Sequence, residues 1–148
     1  MYQRILVPVD GSGTSARGLE EAIKIGKLSG ARLKLLHLVE QLLYAPGLYA
    51  EVLPLMREEG ERVLAQARAQ VEAAGLAVET KLLETQGVRL AEFVNNEARA
   101  WPAELIVIGT HGRRGISRLL LGSDAEQVLR LADTPVLLVR GQDEPAAA

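Results

Sequence analysis

Two glycine-bearing segments hold the residue types that bind phosphate. The first, Asp10-Gly11-Ser12-Gly13-Thr14-Ser15-Ala16, has the G-x-G-x-x-A spacing of a dinucleotide-binding turn, with Glu40 further along where such a fold places an acid against ribose hydroxyls. As a fingerprint it is weak. Asp10 would stand beside the pyrophosphate, and like charges about 4 Å apart cost roughly 4 kcal/mol at an effective dielectric near 20. Asp10 is better used as an acceptor for a ribose hydroxyl or an adenine amino group. The alternative is that Asp10 and Ser12 only cap the helix that follows.

The second segment, IGTHGRRGISRLLLGSDAEQVL from Ile108 to Leu129, is more specific. Gly109 and Gly112 are separated by two residues, nine more lead to Gly122, and Ser123 follows at the start of a helix. Glycines let backbone approach an anion with no Cβ in the way, and the amides of Ser123, Asp124 and Ala125 point out of a helix N-terminus whose dipole favours negative charge. Arg113 and Arg114 add counter-charge at the rim or remain in a solvated loop. Ser123-Asp124-Ala125-Glu126 also reads as a capping box, which leaves the Ser123 hydroxyl able to donate to phosphate. No lysine completes a G-x4-G-K-[ST] loop, and no base or water-positioning constellation for hydrolysis is evident. His111 reads as a loop hydrogen-bonder and His37 as a core residue.

These turns need a scaffold, and the chain supplies one by alternation. Ile5–Val9, Ala31–Val39, Val78–Leu83, Leu105–Ile108 and Val136–Val139 read as five strands, several apolar throughout as strands buried on both faces are. Between them run helical stripes: Leu19, Ala22, Ile23 and Gly26; Met56, Gly60, Val63, Leu64, Ala67, Val71 and Ala74; Leu90, Ala91, Val94 and Ala98; Ala125, Val128, Leu129 and Ala132. Gly30 and Gly75 sit at expected C-caps, and Pro54 suits a first helical turn. Right-handed crossovers then predict one three-layer α/β domain with a parallel sheet, whose ligand sites lie after strands one and four where the winding reverses. Pro8, inside the first strand, predicts a strand end or bulge. Gln41–Val52, apolar and carrying two of the three tyrosines, reads either as a flap over the site or as a loop packed on the domain or on another subunit.

Composition bounds the function classes. A chain of 148 residues, 48% hydrophobic and 24% charged, has room for one core. A formal charge of -2 offers no broad attraction to nucleic acid or to an anionic membrane, so any anion must be met locally. With no cysteine, disulfides, thiolate metal sites and cysteine nucleophiles are excluded. No apolar run approaches the roughly 18 residues of a membrane span, and the expected location is cytoplasmic. Residues 1–140 are expected to form the domain and 141–148 a frayed tail.

VPVDGS after the first strand, LLHLV in the second and G-x2-G-x9-G-S after LIVIGTHG resemble the universal stress protein family, specifically its ATP-binding branch. The resemblance implies strand order 3-2-1-4-5, ATP at the carboxyl ends of strands one and four, and homodimers joined through Val136, Leu137, Leu138 and Val139. It assigns the phosphates to the second loop. Carried onto this sequence, it places Pro8, Val9 and Asp10 around ribose and base, and the Leu38 backbone beside adenine. Ile108 and Gly109 fall by the ribose, and Gly112, Arg113, Arg114, Gly115, Gly122 and Ser123 around the phosphates. Mg²⁺ or Mn²⁺ would arrive with the phosphates, since Mg²⁺ keeps its waters and needs few protein ligands. Asp124 departs from the family pattern of a small apolar residue or threonine, and its charge would face bound phosphates. The function implied is nucleotide-dependent regulation or stress response. A slow ATPase or phosphotransferase, and a nucleotide-free interaction module, are the alternatives.

Overall fold

A computed structural model describes residues 1–40, 46–110 and 122–141, with side chains from residue 50 onward in the second of these segments. The elements run β1 (Arg4–Pro8), α1 (Gly13–Ser29), β2 (Arg32–Glu40), α2 (Pro46–Ala73), β3 (Val78–Thr85), α3 (Leu90–Ala100), β4 (Leu105–Gly109), α4 (Ser123–Leu131) and β5 (Val136–Val139). The five strands form one parallel sheet in the order β3-β2-β1-β4-β5, as expected. Strand boundaries differ from the sequence expectation by a residue or two.

Period-two strands sort the core into two clusters. Ile5, Val7, Leu33, Leu35, Leu105 and Val107 meet Leu19 and Ala22 of α1 and Val63, Leu64, Ala67 and Val71 of α2. Leu6, Leu36, Ile106 and Ile108 point the other way, onto Ala91, Val94 and Ala98 of α3 and Ala125 and Val128 of α4. Two helices therefore cover each face, which is why the central strands are apolar on both sides. Gly30 caps α1 at φ 71° with its N–H on the Gly26 carbonyl, and Gly75 turns the chain after α2 at φ 78°.

Three expectations are corrected. Pro54 lies inside α2 rather than in its first turn, because the helix begins at Pro46. Residues 46–52 of the Gln41–Val52 segment are thus helical, and residues 41–45 lie outside the described residues. Leu129, assigned to the buried stripe of α4, is 48% exposed, because this nine-residue helix turns only Ala125 and Val128 fully into the core.

Pro8 is the last residue of β1, in line with its reading as a strand end. The next residue, Val9, still donates its N–H to the Leu36 carbonyl of β2 at 2.8 Å. Successive strand N–H groups point to opposite sides, so the Pro8 position faces β4 and has no donor to offer it. Pairing between β1 and β4 stops at Leu6↔Ile106. Past that point no ladder pair joins the two central strands among the described residues, and their carboxyl ends are where the winding reverses, the place at which open α/β sheets bind ligands.

Candidate functional site

The turn leaving β1 is built around Asp10. Gly11 takes φ 83°, a conformation costly for any residue with a Cβ, and so folds the chain back. The Asp10 Oδ1 then accepts the Ser12 N–H at 2.8 Å, and the Ser12 hydroxyl accepts the Ser15 N–H at 3.2 Å as the N-cap of α1. Asp10 and Ser12 therefore do cap the turn and the start of α1. This capping uses up amides that a phosphate on this turn would need. In a dinucleotide turn the third small residue packs the helix on the sheet, yet Ala16 is exposed. The close approach is made two residues later instead, where a Cβ on Gly18 would lie 3.3 Å from the Gly109 nitrogen.

Gly109 has a structural reason to be glycine. A Cβ there would lie 2.6 Å from the Thr14 carbonyl oxygen, a backbone atom that cannot swing away. The first turn of α1 is thereby seated against the end of β4.

The second turn is tethered at both ends. Thr110 donates its N–H to the Val139 carbonyl at 3.0 Å and accepts the Gly122 N–H at 2.6 Å, so residues 110 and 122 meet at the carboxyl end of β4. Gly122, at φ -57° and ψ 144°, is the N-cap of α4, with no side-chain cap bond. This corrects the capping box: Ser123 is already inside the helix, because the Thr110 bond holds Gly122 in the flanking position. The first turn of α4 carries Asp124 and Glu126, both favourable toward the helix dipole. Ser123 and Asp124 are exposed, while the Ala125 side chain is 2% exposed in the core and has only its amide to offer.

Pro8, Val9 and Asp10 after β1, Ile108 and Gly109 at the end of β4, and Gly122, Ser123, Asp124 and Ala125 at the start of α4 thus share the carboxyl end of the sheet. Leu38 is half-buried in β2 on the face of α3 and α4, paired with Leu83. Glu40 ends β2 and is exposed. His111, Gly112, Arg113, Arg114 and Gly115 lie outside the described residues.

Two contributors escaped sequence reasoning. Thr110 is 3% exposed, and its buried Oγ1 has no partner among the described residues. The signal was its place directly after Gly109. His37, read as core, is only half-buried and donates from Nδ1 to the Val9 carbonyl at 2.8 Å.

Residues 1–140 match the universal stress protein family. The chain belongs to this family. Among its members, universal stress protein MJ0531 of Methanocaldococcus jannaschii is 36% identical over 144 residues, which cover 95% of this chain and 83% of that one. The crystal structure of a family protein from Burkholderia pseudomallei is 34% identical with a TM-score of 0.78, covering 93% of this chain and 96% of that chain. A universal stress protein solved in complex with cAMP is 26% identical, with a TM-score of 0.67 over 95% of this chain and 98% of that one. Among the described residues of this universal stress protein, no helix is long and apolar enough to cross a membrane.

Proposed function

We propose that this universal stress protein binds ATP at the carboxyl ends of β1 and β4 and acts as a nucleotide-dependent regulatory or stress-response protein. The observation that carries this reading is the contrast between two helix N-termini. At the start of α1 the Ser12 and Ser15 amides are taken by the Asp10 carboxylate and the Ser12 hydroxyl, whereas α4 begins at a glycine with no side-chain cap among the described residues. A helix start without a side-chain cap can turn its N–H groups and its dipole toward phosphate. The cAMP complex of a relative supports nucleotide binding in this fold.

In this reading Asp10, which also accepts from the Ser12 amide, accepts from a ribose hydroxyl or adenine amino group. Pro8, Val9, Ile108 and Gly109 line the nucleoside, and the Leu38 backbone flanks adenine. Gly112, Arg113, Arg114, Gly115, Gly122, Ser123 and the amides of Asp124 and Ala125 surround the phosphates. Mg²⁺ or Mn²⁺ enters with the phosphates and screens them from Asp124.

The protein also pairs with a second copy through β5. Leu137 is 36% exposed on this open edge, an apolar position that needs a cover. Titration calorimetry with ATP and with NAD tests the nucleotide reading: ATP binds and NAD does not, and tighter NAD binding would overturn it.

A further inference from the structure

We propose that Asp10 meets a ribose hydroxyl of the nucleotide and that His37 is a positioning residue for it, acting through the Val9–Asp10 peptide unit. This rests on the nucleotide reading above and adds a residue on another strand. The peptide is held from both sides. Its carbonyl, on Val9, accepts from the His37 Nδ1 at 2.8 Å, and its N–H, on Asp10, donates to the Ser15 Oγ at 3.1 Å. A carbonyl only accepts, so the imidazole carries its proton on Nδ1. With the peptide plane held between imidazole and hydroxyl, the Asp10 carboxylate starts from one direction and closes on the Ser12 amide at 2.8 Å.

The ring is itself immobilised. It packs under α2 at Gly60, where a Cβ would lie 2.7 Å from the His37 Cδ2, 3.1 Å from Nε2 and 2.8 Å from Leu82 Cδ1. Gly60 is glycine because the imidazole occupies that space. A chain of contacts therefore runs from α2 through His37 to the acceptor that meets the ribose.

The test is calorimetry of Mg-ATP and Mg-2′,3′-dideoxy-ATP with the unmodified protein, His37→Leu and His37→Asn. His37→Leu loses about five- to tenfold in ATP affinity, the effect of one neutral hydrogen bond, and leaves dideoxy-ATP unchanged. His37→Asn, whose amide can donate to Val9, stays within about threefold of the unmodified protein for ATP. A residue that only fills the core would lower the melting temperature without changing the ratio of the two affinities. Equal losses for both nucleotides, or no loss in His37→Leu, overturn the inference while leaving ATP binding intact. If His37→Leu does not fold, Ser15→Ala releases the other side of the same peptide, and the same selective loss is required of it. An unmodified protein that binds neither nucleotide overturns the ATP reading and this inference with it.

Discussion

Replacing Glu97 with glutamine should destabilise the domain by about 2–3 kcal/mol near neutral pH. Glu97 projects from α3 onto the sheet and is 7% exposed. Its Oε2 lies 3.2 Å from the Lys34 Nζ of β2, and its Oε1 accepts from the Lys81 Nζ of β3. Lys34 is the constrained partner, with its side chain 15% exposed and its ammonium 5.7 Å from the centre of the Trp101 ring. A unit pair at 3.2 Å is worth roughly 5 kcal/mol at an effective dielectric near 20, and desolvation of both ions takes back a large part. Lys81 is 44% exposed and swings into water when its partner goes, so it adds at most about 1 kcal/mol. For a chain of this length the melting temperature should fall by roughly 5–10 °C.

The pH dependence carries the sign. Burial alone would raise the Glu97 carboxyl, but hydrogen bonds from Lys81 and Lys34, together with their charges, hold it below the usual glutamate value. The stabilisation is therefore complete above the ordinary glutamate range and disappears as pH falls through the lowered value. Urea denaturation of both proteins at about pH 7 and about pH 3 measures this. A loss below about 0.5 kcal/mol at neutral pH, or a difference between the proteins that does not shrink in acid, would refute the argument.

Gly122→Val should reduce ATP affinity at least about tenfold while the domain still folds, since φ -57° accommodates a branched residue but its Cβ fills the space where phosphate meets the amides. Gly11→Ala, forced into φ 83°, should cost about 1–2 kcal/mol of stability with less effect on ATP, and calorimetry showing equal affinity losses would assign the phosphates to the wrong turn. At β5, the Pro135 and Val139 carbonyls accept from β4, so by strand alternation the Leu138 N–H faces outward. Leu138→Pro should then give monomers by light scattering with the β4–β5 ladder intact, and an unmodified protein already monomeric at micromolar concentration rejects the dimer.

Strand and helix alternation, the two-sided burial of β1 and β4 and the glycine C-caps were legible in the sequence, because each follows from local period or from a backbone angle only one residue type accepts. So was Pro8 as a strand end, since a missing N–H is a property of the residue alone. The start of α2 was not. A stripe is visible only where a helix meets a core, and residues 50–52 together with Leu55 are exposed, so nothing before Met56 carries a period. Exposure also lets water reach the carbonyl that Pro54 leaves without a donor. The N-cap of α4 moved from Ser123 to Gly122 through one long-range hydrogen bond to Thr110. In the candidate site, the two turns and their glycines could be read along the chain. His37 beneath Val9, Gly109 against Thr14 and Glu97 between two lysines join residues far apart in sequence. Such pairings have no local signature, because they exist only once parallel strands and the helices packed on them have been brought into register.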